Sequence, residues 1–305
     1  MTYEDKLARF NERIEAGDKV ETKDWMPDDY RHGVLKFVEM HANSEIMGAL
    51  PERECLPAAP SLQRKMSLAA KIQDEVGHAQ LLYRVAEDLG KSRDAMFHDL
   101  VVGRSKFHNV FHYPVHHWGD VAIIGWLIDG AALVTQAALR DSSYAPYARV
   151  LKRICAEEQL HLRHGEHITM ELSAGTNEQR AMFQDGLTRW WLPIIHFFGP
   201  RSNVSKDLLL RWKVKTRLNE DLRQEFLDRY VPKILELGYE FPTPVPYKDG
   251  EHYLISDDDI DWWPLDAIKK NQGPETERRL TWRRDIYETH RWVRESMAET
   301  AVHVA

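Results

Sequence analysis

The sequence predicts an all-α protein, and three observations carry that prediction. Apolar residues recur at helical spacing over long stretches. No strand–turn–helix alternation, low-complexity run or short repeat interrupts them. Two pairs of long helical segments follow one another, one pair before residue 90 and one between 120 and 175, as in a four-helix bundle made of two helical hairpins.

Taken in order, the first twenty-five residues are polar and read as an arm. Helical periodicity begins after Pro27, in DDYRHGVLKFVEMHANSEIMGAL, and is expected to stop at Pro51, where the imide nitrogen removes a helix donor. A loop with Pro51, Pro57 and Pro60 leads to a second long helix, with Ser61 as N-cap and Gly90 as its stop. Residues 91 to 118 read as irregular, and Asp120 as the cap of a third helix, VAIIGWLIDGAALVTQAALRD. After the turn SSYAP a fourth helix runs to about Gly175. Extra helices are expected over 177–198, 205–237 and 275–299, with an irregular, Pro-rich and aromatic stretch after Gly238. The whole chain, 1–305, reads as one domain with its core helices over 28–175 and the extra helices and tail over 176–305.

Composition bounds the function. A net charge of −7 excludes general affinity for nucleic acid and leaves any anion binding to local clusters. Two cysteines, Cys55 and Cys155, exclude a disulfide framework and any Cys₄ zinc or iron–sulfur site. The charged N-terminus has no apolar signal region, and the longest apolar stretch, Val121–Ile128, is too short to cross a bilayer. A cytoplasmic protein without a membrane partner is the expectation.

The chemistry lies in two Glu-x-x-His pairs, Glu75/His78 and Glu158/His161. Residues three apart share a helix face, so each pair can reach a common point. Glu45 lies thirty residues ahead of Glu75, and Asp129 lies twenty-nine ahead of Glu158. Each hairpin therefore delivers one carboxylate from its first helix and a Glu plus a His from its second. Four carboxylates and two imidazoles suit two iron ions in a carboxylate-bridged centre. Calcium or magnesium would favour an all-oxygen site. Such a set inside a four-helix bundle defines a ferritin-like fold.

Asp129 is the strongest single residue, because GWLIDGAALV is apolar around most of its circumference. A carboxylate there costs several kcal/mol unless a metal, a partner or a proton relieves it. Gly125, Ala132, Gly48 and Ala49 leave room beside the acids, and Trp126 and Leu133 can wall an apolar pocket. Asp74 and Glu157 precede the ligand glutamates and can hold the far ring nitrogen of a histidine on the opposite helix.

Other clusters read as structural. His108, His112, His116 and His117 surround Pro114 in a loop without upstream acids. Cys155 is a small buried residue, and His164 and His167 extend past the ligand set. Among the lysines, Lys71, Lys106, Lys213 and Lys215 can hold phosphates, with Lys71 and Lys106 the first candidates for substrate binding at a pocket mouth.

The motifs DEVGH (74–78) and EEQLH (157–161), Asp129 within GWLIDGA, and the tail WRRDIYETHRW resemble the phenylacetyl-CoA epoxidase family of bacterial phenylacetate degradation, over nearly the whole chain. The resemblance implies the oxygen-activating di-iron component of a multicomponent monooxygenase, which converts phenylacetyl-CoA to its ring 1,2-epoxide. It implies three partners: a small B subunit, a structural C subunit, plus an E reductase, an iron–sulfur flavoprotein that passes on electrons from NADPH. The six ligands carry over onto Glu45, Glu75, His78, Asp129, Glu158 and His161. Two departures from other di-iron monooxygenases stand out: Asp129 where those have Glu, and Gly77 and Leu160 where their motif has Arg.

The chain has no Gly-x-Gly-x-x-Gly motif after a strand and no cysteine cluster, so electrons must arrive from another polypeptide. The tail tryptophans Trp262, Trp263, Trp282 and Trp292 suit a partner surface or a cover over the bundle. The rival readings are another ferritin-like di-iron oxidase or desaturase, and a metal-free scaffold subunit.

Overall fold

The computed structural model describes residues 1–304. The N-terminal segment is not an arm but helix α1 (Tyr3–Ala16), started by a Thr2/Asp5 capping box. It buries Phe10 and Ile14, with Phe10 edge-on to Tyr30 and Trp212. The T-x-x-D signal is present in the sequence; an apolar stripe of only two residues hides its docking.

Helix α2 (Asp28–Cys55) runs through Pro51 and continues for another turn. Helix α3 (Leu62–Glu87) starts at Ser61, whose hydroxyl accepts the Arg64 N–H. Together α2 and α3 form the first hairpin. Residues 91–118 are less irregular than expected, since α4 (Arg93–Val101) lies there, capped by Ser92.

The third long helix starts at Trp118 and has three parts. They are α5 (Trp118–Ile123), one π-helical turn (Ile124–Ile128) and α6 (Asp129–Leu139). Asp120 lies inside its first turn, where it accepts the backbone N–H groups of His116 and His117 and the Trp190 indole. The π turn re-aims the helix immediately before Asp129, a placement typical of functional sites. Helix α7 (Ala145–Ser173) completes the second hairpin.

The two helices of that hairpin touch backbone to backbone. A Cβ on Gly125 would lie 2.8 Å from the Gly165 Cα, so only glycines permit the approach. The stretch Trp118–Leu139 is long and apolar enough to pass for a membrane span, yet 78% of its most apolar window is buried inside the bundle. It is a core helix.

Helix α8 (Asn177–Phe197) packs on the second hairpin. The helix expected over 205–237 is broken into α9 (Leu208–Arg211) and α10 (Asn219–Glu236), with a non-helical link between them. A short hairpin, β1 (Tyr247–Asp249) and β2 (His252–Leu254), turns at Gly250 in the left-handed region and lies against α10. Then come α11 (Trp263–Ile268), α12 (Thr276–Thr289) and α13 (Arg291–Val304). The tail folds back over the end of α2: buried Arg279 donates to the Phe111 carbonyl and to Glu54, and Arg53 stacks on Trp282.

Candidate metal centre

Three of the four long helices, α2, α3 and α7, aim carboxylates and imidazoles at one buried point, a group that does not include Asp129 of α6. Glu45, Glu75, His78 and Glu158 each offer an atom within 4.8 Å of the others, and all four are buried. His161 joins them, with Nδ1 3.2 Å from Glu158 Oε2 and 3.6 Å from Glu75 Oε1. The far ring nitrogens are tied down across the bundle. His78 Nε2 lies 2.9 Å from Glu157 and His161 Nε2 3.0 Å from Asp74. Carboxylates at Nε2 hold the ring proton there and turn Nδ1 inward, as a metal ligand requires. His78 Nδ1 makes no well-directed hydrogen bond, although Glu158 Oε1 is 3.1 Å away.

Asp129 is reached by a different group. Lys71, one turn before Glu75, extends its ammonium to within 2.5 Å of Asp129 and 2.5 Å of Glu52, and 3.9 Å from Glu75. The structure gives Lys71, expected at a pocket mouth, another setting: only 3% exposed, it lines the inner cavity with its ammonium paired to carboxylates. Lys106 is exposed and stands outside the cavity described below; its carbonyl accepts from Asn43. Sequence reasoning misses Glu52 because it ends the helix at Pro51. The additional turn beyond that proline is what points Glu52 at Lys71.

Electrostatics follow from several buried acids that share one lysine, four of which act on it: Asp129, Glu52, Glu75 and Glu158. Burial, then repulsion from Glu158 and Glu45, pushes Glu75 well above the carboxylate range. Burial also lifts Asp129, and even the adjacent Lys71 leaves it at about 7. Burial works against the charged form of Glu45 too, but His41 at 2.9 Å and the nearby His78 outweigh it and hold its pKa below normal. Glu158 is brought down to about 2 despite burial, by His161 and His78. Burial opposes a charge on His78, yet Glu158 and Glu45 push it up to about 10. A metal-free chain thus gathers protons into the cluster, and a bound cation would take their place. The donors fit transition-metal ions: oxygen and nitrogen in one buried shell, oriented by outer carboxylates.

A cavity of about 270 Å³ opens onto these groups. Its apolar wall includes Met40, Phe111, Ile124, Ile128 and Phe197. Gly48 and Ala132 line it as expected, with Gly48 pressed against the Phe111 ring. Gly125 serves the backbone contact with Gly165 instead, and Trp126 packs in the core against Phe183 and Tyr230. The histidine loop is structural: His112 stacks on Phe107 and bonds Thr276, and His117 pairs with Asp185. Cys155 is buried beside Gln136.

Fold and site define a helical bundle protein with a buried carboxylate–histidine centre able to hold metal. The family model described as phenylacetic acid catabolic protein matches residues 4–292, and the chain belongs to that family. It is similar to the A subunit of the 1,2-phenylacetyl-CoA epoxidase of Escherichia coli (strain K12), with 41% identity over 300 residues covering 97% of this chain and 96% of that protein.

Proposed function

We propose that this chain is the oxygen-activating component of a multicomponent monooxygenase that converts phenylacetyl-CoA and O₂ to the ring 1,2-epoxide. The observation that carries the reading is a buried group of Glu and His facing an apolar cavity, in a chain 41% identical to part of an epoxidase. Glu45, Glu75, His78, Asp129, Glu158 and His161 would hold two iron ions. Bound iron supplies the activation of dioxygen. Electrons come from NADPH through a separate iron–sulfur flavoprotein reductase, because the chain has no motif for binding a nicotinamide, flavin or cluster of its own. The B and C subunits complete the assembly.

The chain's own residues position and exclude. Asp74 and Glu157 fix the two imidazoles. His41, bonded to Tyr147 OH at 2.7 Å, holds Glu45 at 2.9 Å. Ile124, Ile128, Phe111 and Phe197 form a dry slot for an aromatic ring, keeping water from the reacting carbons. Lys71 and Glu52 hold Asp129 in place.

The test is iron content per chain together with oxygen uptake in the presence of phenylacetyl-CoA, reductase, NADPH and partner subunits. Iron-dependent uptake with epoxide formation is expected, and Glu75→Ala or Glu158→Ala should abolish both iron and turnover. Turnover surviving with full metal in either variant would sink the ligand assignment. Chain purified with its partners but without iron or turnover would identify a scaffold instead.

A further inference from the structure

Tyr147 lies on the ligand face of α7: positions 147, 151, 154 and 158 follow the helical period, and all four side chains are buried. The phenol is closed off from solvent, with the rings of Phe37 and His41 edge-on to it. Its oxygen is 2.7 Å from His41 Nδ1, and His41 Nε2 is 2.9 Å from Glu45 Oε1. An ionised carboxylate only accepts, so Nε2 keeps the ring proton and Nδ1 is left to accept the phenolic O–H. Two hydrogen bonds therefore lead from the phenol to an acid of the metal cluster. Tyr147 and His41 both line the cavity that reaches that cluster.

The other buried tyrosines are bonded differently. Tyr30 meets the Ser143 hydroxyl, Tyr83 donates to Asn43, and Tyr239 meets Ser173. Among the described residues, Tyr147 alone joins its hydroxyl to an imidazole. Orienting His41 asks for no more than a small hydrogen-bonding group. What a phenol adds is a ring that can give up an electron, provided its proton has somewhere to go. His41 Nδ1 is at the distance that proton transfer requires.

We propose that Tyr147 is a one-electron donor to the oxidised metal centre, quenching it when no aromatic ring fills the slot. The inference rests on the function proposed above. One electron leaves the phenol ring and reaches the iron through His41 and Glu45. The Tyr147 O–H bond breaks, and the proton forms a new N–H bond at His41 Nδ1, giving an imidazolium that faces the Glu45 carboxylate. Tyr147 is thereby oxidised to a neutral phenoxyl radical, and the iron centre is reduced by one electron. An electron from the iron–sulfur flavoprotein reductase restores the phenol, and the proton returns from His41. The donor spares the cavity wall, since Phe111, Phe197 and Met40 are otherwise the oxidisable groups facing an empty slot.

Freeze-quench electron paramagnetic resonance tests it, on the iron-loaded full-length chain with its partner subunits, reduced and then mixed with O₂ without acyl-CoA. A phenoxyl signal is expected, and phenylacetyl-CoA in the slot should suppress it. Tyr147→Phe should abolish the signal without changing iron content, whereas Tyr30→Phe should keep it. His41→Gln should lower the yield per bound iron by about tenfold or more, because the proton loses its acceptor. A ring-fluorinated tyrosine at position 147 preserves the phenol and the packing, and should add fluorine splitting to the signal. A signal that persists in Tyr147→Phe or shows no fluorine splitting overturns the inference. So does an oxygen atom found in the Tyr147 ring by peptide mass spectrometry in place of the radical. Wild type that consumes O₂ with full iron but forms no radical overturns this inference alone. Wild type that takes up no iron overturns the proposed function along with it.

Discussion

The two helical hairpins present the same ligands in different surroundings. Glu45, Glu75 and His78 from the first match Asp129, Glu158 and His161 from the second, and Asp74 matches Glu157 behind them. One turn before the ligand glutamates the match ends: α3 has Lys71 where α7 has buried Ile154. Seven residues after Glu45 stands Glu52, and seven after Asp129 stands Gln136. Four before Glu45 is His41, which bonds it, while four before Asp129 is Gly125, which meets Gly165. The inner set includes a group able to hold a metal ion. The asymmetric surroundings give one end an ammonium and the other an imidazole: burial keeps Asp129 above normal despite Lys71, whereas His41 helps hold Glu45 below normal despite burial.

The largest break in this comparison is expected from removing the ammonium. Lys71→Met leaves Asp129, Glu52 and Glu75 without their buried counter-charge, a loss of about 3–5 kcal/mol by the usual cost of halving a buried ion network. Urea unfolding of the metal-free chain would read it. A loss below about 1 kcal/mol would show that protons on the carboxylates already supply the balance. Next comes the backbone contact inside the second hairpin. A Cβ at position 165 would lie 2.0 Å from the Gly125 carbonyl carbon, so Gly165→Ala should cost about 1–3 kcal/mol or more and disturb Asp129, one turn on from Gly125. Thermal melting and metal content would report the two effects.

The matched outer pair should behave alike. Asp74→Asn and Glu157→Gln are each expected to weaken metal affinity by about 10–100-fold, measured by competition with a chelator. Unequal losses would show that the asymmetry extends to the histidines. The smallest effect concerns the clamp over α2, which the second hairpin lacks. Burial holds His112 down at about 3, so it is neutral in the folded chain, whereas the unfolded residue takes up a proton near the ordinary value of 6.5. The folded state binds fewer protons, so stability is full above pH 6.5 and falls as pH drops toward 3. The slope from this residue is about 1.4 kcal/mol per unit. Unfolding of His112→Asn between pH 7 and 5 should show a shallower slope than wild type.

Much of the site is legible in the sequence because it is written in helical spacing. Glu75/His78 and Glu158/His161 share faces whatever the rest of the chain does, and an acid inside GWLIDGAALV needs an explanation in any fold. The orientation of Asp74 and Glu157 can be read the same way, from their position one residue before a ligand. Helix breaks are harder to place. Pro51 is a breaker by its chemistry, but α2 passes it, since a proline near a helix end forfeits few hydrogen bonds. The link between α9 and α10, built of turns and bends with Lys213 in the left-handed region, falls inside the helix expected over 205–237.

By itself, then, the sequence determined the helical bundle and the set of residues able to meet at a metal, since both depend on periodicities of a few residues. Only the tertiary structure decided which cation faces which acid. Lys71 is an ordinary lysine one turn before a glutamate until α2 and α6 bring Glu52 and Asp129 to it, from nineteen and fifty-eight positions away in the chain. Charge pairing in a folded protein is set by distances through space, and a local pattern does not record them.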